Sequence, residues 1–313
     1  MTTLRLLADD LTGALDTAAE LVGLAGPVPA FWHGAIPRDA LPPNAALDSG
    51  TREMEPGPAS GIVAALTPAL AGADIAYKKI DSLLRGPTLA EIASCLRAGP
   101  WERAVLAPAF PYQGRVTQGG VQHARGADGR WAAVGGDIVA GLRAQLVPAQ
   151  PGRLDASLPT GITVFDAATD EDLRLVAALG KAAPCPVLWI GTGGLAQALA
   201  GSFAPSTRAA LNLPVLGLFG SDQDVTCGQL DACGPDWIRL RDGGRTEAIR
   251  IAAHLRANGR ALASLDLPAG LARDEAARRI AAELSRLVRD LPPPGTLIVA
   301  GGETLRGLCL ALG

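Results

Sequence analysis

The sequence predicts an α/β protein made of two α/β domains with largely parallel sheets and an active-site cleft between them. Three observations lead there. Short apolar runs alternate with helical patterns along the whole chain. The 313 residues suit two domains at about 150 residues each. Charged and polar residues gather just after several apolar runs, where an open α/β sheet binds its ligands.

The first strand is expected over residues 4–8, and it ends in Asp9 and Asp10. Thr12 and Gly13 then turn into a helix over 13–23. Further strands are expected at 28–32, 45–48, 75–80, 104–107 and 163–166, then at 187–190, 215–219, 237–240, 261–266 and 296–300. Helical patterns fall at 88–98, 138–145, 171–181, 195–200, 225–231, 245–258, 273–289 and 304–312. In the long 273–289 helix Ala277, Ile280, Leu284 and Leu287 recur at three- and four-residue spacing with charges between, as in a surface helix laid on a sheet. Asn258-Gly259 stops the helix before it. Residues 108–136, rich in Gly, Gln and Arg, read as a long irregular loop of the kind that is functional or mobile, with 109–120 within it either a lid over substrate or a plain long turn. Residues 201–214 carry Pro205, Ser206, Asn212 and Pro214 and read as a linker. The domains are therefore expected at 1–205 and 213–313.

Composition excludes several classes. The net charge is −3 without a Lys/Arg block, which argues against nucleic acid as a partner. No uncharged apolar run reaches the ~18–20 residues that span a bilayer. The N-terminus lacks a basic segment followed by a long apolar one. Cys95, Cys185, Cys227, Cys233 and Cys309 are scattered, and His33, His123 and His254 are dispersed, so no zinc spacing arises. A cytoplasmic protein with reduced thiols is expected.

Chemistry is carried by clusters at strand ends. Unpaired carboxylates are costly to bury, so Asp9 and Asp10 mark an acidic site. Lys79, Asp81, Ser82 and Arg85 crowd into seven residues after the fourth strand, with Lys78 pointing to the opposite side of that strand from Lys79. Lysine and arginine beside a serine hydroxyl can hold a carboxylate or phosphate oxygen. Asp48-Ser49-Gly50-Thr51-Arg52 ends another strand, and Arg52 either grips a carboxylate bidentately or is a plain surface arginine. In the second half Phe219-Gly220-Ser221-Asp222 and Ala300-Gly301-Gly302-Glu303-Thr304 are glycine turns leading into helices, as is Gly191-Thr192-Gly193-Gly194 in the first half. Such turns let backbone N–H groups approach phosphate oxygens. Neither second-half turn fits the common P-loop or dinucleotide fingerprint. An acidic and basic crevice on one domain and glycine turns on the other point to phosphoryl transfer, one domain holding an alcohol and the other a nucleotide.

The order ADDLTGALD, SGTR, KKIDSLLRG, APAFPYQGRVTQGG, GTGGLA and AGGET resembles the four-carbon acid sugar kinase family, from residue 4 to residue 313. The resemblance implies an N-terminal sugar-acid domain, a C-terminal nucleotide domain, and phosphorylation of the terminal 4-hydroxyl of a threonate, erythronate or 3-oxo-tetronate type acid. It implies that Asp9, Arg52 and Lys79-Ile80-Asp81-Ser82 contact the acid, with Asp10 and Arg85 beside them, and that Ser221 and Gly301-Gly302-Glu303-Thr304 contact ATP. Arg52 and Lys79 would hold the substrate carboxylate. Asp9 or Asp81 would orient the acceptor hydroxyl and accept its proton. Mg²⁺ on the ATP phosphates follows from the reaction type. A homodimer is kept open. Four departures stand out. Leu83 replaces the family's usual Thr, Asp222 and Asp224 stand in a turn that commonly reads Ser-x-Ser-Pro, residues 121–136 are shorter than the corresponding region, and members run on past the position of Gly313. That last departure implies a nucleotide domain shortened at its end. The alternative reading is a catalytically impaired sugar-acid-binding or regulatory homologue.

Overall fold

The computed structural model describes residues 2–32, 41–201, 210–220, 224–268 and 270–313. Two compact units divide the chain, Met1–Pro205 and Ser206–Gly313. Much of the expected linker, and His33, lie outside the described residues.

The first unit runs β1 (Leu4–Ala8), α1 (Leu11–Ala25), β2 (Ala30–Phe31), β3 (Ala45–Asp48), α2 (Pro56–Leu66), β4 (Ile75–Lys79), α3 (Thr88–Ala98) and β5 (Arg103–Ala107). It continues with β6 (Arg115–Gln118), β7 (Val121–Arg125), β8 (Trp131–Val134), α4 (Ile138–Ala144), β9 (Ala149–Pro151), β10 (Gly161–Val164), α5 (Asp170–Lys181), β11 (Val187–Gly191) and α6 (Gly193–Ala200). Eight strands form one sheet in the order β2-β3-β1-β4-β11-β5-β10-β9, all parallel. Every carboxyl end therefore opens on the same edge. The chain leaves β1 towards β2 and β3 on one side and crosses back to β4 on the other, so the strand order reverses at β1/β4. That reversal is where open α/β sheets form their crevice.

Both faces of this sheet are covered, which explains its near-continuous apolar strands. Leu4, Leu6, Tyr77, Val105 and Trp189 pack with α1, α5 and α6 on one face. Leu7, Leu47, Leu106, Leu188 and Ile190 pack with α2, α3 and α4 on the other. Helix α2 has no counterpart in the sequence reading. Its glycines and prolines mask it, but Pro56 occupies the first turn, where its missing N–H does no harm, and Ala59 and Val63 bury one stripe. Strand β2 starts later than expected because Pro27 and Pro29, both just before it, have no ladder donor.

Residues 108–136 are a correction to the expected loop, for they hold the antiparallel three-stranded sheet β6-β7-β8. The hairpin between β6 and β7 turns on Gly119 and Gly120, at φ of 58° and 74°. Positive φ at both central residues is the tight hairpin turn that glycine permits. The polar composition that read as a loop belongs to a sheet whose buried face includes a glutamine, Gln122.

The second unit runs β12 (Val215–Phe219), α7 (Asp224–Asp231), β13 (Trp237–Leu240), α8 (Arg245–Asn258), β14 (Arg260–Leu265), α9 (Arg273–Arg289), β15 (Thr296–Ala300) and α10 (Gly302–Leu312). Its parallel sheet has the order β13-β14-β12-β15. Leu216, Leu218, Ile251, Ile280, Leu284 and Leu287 form its core. Among the described residues, no helix is long and apolar enough to cross a membrane.

Candidate active site

Five neighbouring strands, β3, β1, β4, β11 and β5, deliver their following loops to one edge of the large sheet. Asp9 and Asp10 follow β1, Arg52 follows β3, and Lys79 ends β4 with Asp81, Ser82 and Arg85 just beyond it. The structure brings these residues together.

Arg52 is the hub. Its Nε and Nη2 donate to the two oxygens of Asp9 at 2.8 and 2.9 Å. Its Nη1 donates to Asp10 Oδ2, and its Nη2 lies 3.6 Å from Asp81 Oδ1. Asp10 Oδ1 also caps α1 by accepting from the Gly13 N–H at 2.8 Å. The guanidinium matches a carboxylate with two parallel bonds, and that fork is already taken by Asp9. Burial works against the charge on Arg52, but its bonds to Asp9 and the Asp10 and Asp81 charges hold its pKa above the ordinary value.

Asp81 is pinned from its other side. Arg85 Nε and Nη2 donate to its oxygens at 3.0 and 2.7 Å, and the Leu83 N–H donates at 3.0 Å. Burial would raise its pKa, but the Arg85 hydrogen bonds and the Arg52 charge take it down to about 2. Asp81 is therefore a fixed anion at any physiological pH.

A second network lies behind the site. Lys78, wholly buried, donates to Glu91 Oε2 at 2.7 Å. Thr51 Oγ1 donates to Glu91 Oε1 at 2.6 Å, and the Ser49 and Thr51 hydroxyls lie 2.7 Å apart. Ser49 Oγ donates to the Ala8 carbonyl at 2.8 Å. The chain of bonds ties α3 to the loop that carries Arg52 and to the end of β1. Gly86 presses on the same loop. Its φ is 75°, and a Cβ there would stand 2.2 Å from the Arg52 carbonyl oxygen, so glycine is required. The loop after β4 has its own anchor in Gln122, whose Nε2 donates to the carbonyls of Ser82 and Pro108, both at 3.0 Å. Its Oε1 accepts from Thr117 Oγ1 at 2.7 Å.

Sequence reasoning missed Glu91 and Gln122 as supports of the site. A glutamate in the first turn of a helix reads as solvated. The available signal was its spacing of four from Cys95, which put it on a buried stripe. Gln122 gave no signal while its segment read as a loop.

Above the network opens a hollow of ≈ 470 Å³. The α1 residues Gly13, Asp16 and Glu20 line one wall, and Gln197 on α6 donates to Glu20 Oε1 at 2.9 Å. Lys79 reaches in from the floor. Its Nζ donates to the Ile80 carbonyl at 2.8 Å, and it lies beside Gly13, where a Cβ would come within 3.0 Å of it. Burial pushes the Lys79 ammonium below the ordinary lysine range, against the pull of Asp9. One hydrogen bond leaves two of its three donors for an incoming anion. Ile80 is buried and contributes backbone, its N–H donating to the Gly191 carbonyl at 2.9 Å.

In the second unit Gly301, with φ 106°, precedes α10 at the carboxyl end of β15. Gly301, Gly302 and Glu303 are exposed, whereas Thr304 is buried and packs its hydroxyl against Gly220. Ser221 lies outside the described residues. A hollow of ≈ 330 Å³ opens beside Phe219, Trp237, Ser264 and Asp266. Trp237 Nε1 donates to Ser264 Oγ at 2.9 Å, and the Arg239 guanidinium stacks 4.2 Å from the Trp237 ring.

A doubly wound sheet with a lysine and arginine-held carboxylates at its switch point defines the class of open α/β proteins whose ligand crevice lies beyond the strand ends. The comparisons with known proteins narrow this class. A family model described as a sugar-binding N-terminal domain matches residues 4–148. The D-threonate kinase of Cupriavidus necator is 32% identical over 361 residues, covering 98% of this chain and 85% of that protein. The D-erythronate kinase of Heliobacterium modesticaldum is 28% identical, covering 74% of this chain and 60% of that protein. A solved Salmonella typhimurium LT2 protein, described as a tRNA synthase, aligns over 100% of this chain and 89% of its own with a TM-score of 0.73. At 20% identity that likeness shows the fold alone. The chain belongs to the four-carbon acid sugar kinase family.

Proposed function

We propose that this protein transfers the γ-phosphoryl group of ATP to the terminal 4-hydroxyl of a four-carbon sugar acid of threonate, erythronate or 3-oxo-tetronate type. The observation that carries this reading is Lys79, a buried ammonium with spare donors beside carboxylates that arginines already fix. The curated relatives named D-threonate kinase and D-erythronate kinase support the same substrate class.

In this reading residues 1–205 seat the acid, and residues 213–313 bind the nucleotide through the exposed N–H groups of the Gly301-Gly302-Glu303 turn and through Ser221. Lys79 receives the substrate carboxylate, and Arg85 lies at the rim beside it. The incoming charge restores to Lys79 what burial took away. Arg52 serves differently from the sequence expectation. Its fork holds Asp9 and Asp10 in place as hydrogen-bond acceptors for the polyol hydroxyls, and Asp81 does the same under Arg85. Phosphoryl transfer of this kind depends on positioning and charge neutralisation. Mg²⁺ on the nucleotide phosphates belongs to the reaction type. Among the described residues no group of three or more His, Cys, Asp or Glu gathers to hold an ion, so no step is assigned to a protein-bound metal.

The test is ADP release from ATP with a panel of four-carbon acids. At least one acid is expected to support turnover. Lys79→Met is expected to raise KM for that acid by about 10–100-fold, the loss of one charged hydrogen bond. Silence across the whole panel overturns the reading.

A further inference from the structure

Five carboxylates stand in or directly under the hollow, and their partners divide them. Asp9 is held by Arg52, and Asp10 by Arg52 and the Gly13 N–H. Asp81 is held by Arg85 and backbone N–H groups, and Glu20 by Gln197. Among the described residues Asp16 alone of the five accepts no hydrogen bond. It also sits at the right depth. Gly13, Asp16 and Glu20 share one stripe of α1, and Lys79 Nζ lies beside Gly13. At 1.5 Å rise per residue Asp16 is about 4.5 Å further along that wall, and a four-carbon acid is about one helical turn long. An acid with its carboxylate on Lys79 therefore brings its far hydroxyl to the level of Asp16.

We infer that Asp16 is the catalytic base for phosphoryl transfer, and that Asp9 and Asp81, already gripped by arginines, position the acid. This rests on the kinase reading and deepens it. The acceptor O–H gives its proton to an Asp16 carboxylate oxygen as its oxygen bonds to the γ-phosphorus of ATP. The bond from that phosphorus to the β–γ bridging oxygen breaks, and ADP leaves with the electron pair. Asp16 then releases its proton to water. The products are the phosphorylated acid, ADP and one proton.

The electrostatics agree with that role. The Asp16 side chain is open to solvent at the mouth, yet its neighbours desolvate the carboxyl enough to raise its pKa, against the pull of Lys79. The charged groups around it are Lys79 from β4, Asp10 before α1, Glu20 on α1, Arg52 after β3, and Asp81 and Arg85 after β4. A base whose pKa is raised from its ordinary value works closer to neutral pH than one held near 2.

The experiment compares wild type, Asp16→Asn and Asp16→Glu in ADP release, with binding of the acid measured by calorimetry. General-base removal is worth about 10²–10⁴-fold. Asp16→Asn is expected to lose at least 100-fold in kcat while binding the acid within about threefold of wild type. The acidic limb of the wild-type kcat profile should vanish from its residual activity. Asp16→Glu should recover part of kcat and keep that limb. If wild type turns over and Asp16→Asn keeps kcat within about threefold, the assignment is wrong and the kinase reading stands. If wild type releases ADP with no acid in the panel, both are wrong.

Discussion

Arg52→Ala is expected to destroy turnover and to destabilise the first unit by about 3–5 kcal/mol, the range found when one partner of a buried charge pair is removed. The reason is the number of charges that depend on it. Asp9, 3% exposed, loses the donors to both its oxygens, Asp10 loses one, and Asp81 loses a cation 3.6 Å away. Three carboxylates then face one another at the ends of β1 and β4 with Lys79 and Arg85 as the remaining counter-charges. Arg52→Lys should recover only part of the loss, because an ammonium supplies the charge without the two-pronged fork. The pH dependence should change as well. Asp81 has a depressed folded pKa, so its contribution to stability is full above its ordinary 3.8 and is lost as pH falls towards about 2. Without Arg52 that loss should begin at higher pH. Urea unfolding of wild type and both variants between pH 2 and 7 measures this. An Arg52→Ala protein with an unchanged midpoint would show that the hub carries no weight.

The parts of this site that could be read in the sequence are those set by strand ends. Asp9-Asp10 and Lys79-Ile80-Asp81-Ser82 follow apolar runs directly, and in a parallel sheet that position alone puts them on the functional edge. The alternation of a strand also separates Lys78 from Lys79, and the structure sends one to α3 and the other into the hollow. What stayed hidden was the partner of each charge. Arg52 could grip a substrate or lie on the surface equally well until the fold set it against Asp9. Glu91 carries no local mark of its role, because nothing near it in the chain says that Lys78, 13 positions earlier, lies beneath it. Gln122 needed a sheet that its glycine- and arginine-rich surroundings disguised. Long-range pairing of polar groups is set by tertiary packing, which leaves no period in the sequence for a pattern to reveal.

The Lys78–Glu91 pair offers a way to separate folding from function. Glu91→Ala should destabilise the first unit by about 3–5 kcal/mol, since it strands a buried ammonium. Lys78→Met should cost a similar amount by stranding the carboxylate. The pair's contribution is intact at neutral pH. Burial works against the Lys78 charge, but Glu91 keeps its pKa above 10.5, and the stabilisation is lost only as pH rises through that raised value. The double variant Lys78→Met with Glu91→Leu should recover most of the stability, because replacing a whole buried pair by apolar groups is often neutral or better. The Thr51 hydroxyl then loses its bond to the Glu91 carboxylate and keeps only Ser49 Oγ, 2.7 Å away, and a lost hydrogen bond to a charged group costs about 1.5–3 kcal/mol. That residual penalty falls on the loop of Arg52. The double variant should therefore fold nearly as well as wild type and still bind the acid more weakly, because Arg52 no longer holds Asp9 and Asp10 in register. Recovery of both stability and binding would mean that the buried network supports the fold and leaves the site's geometry to other contacts.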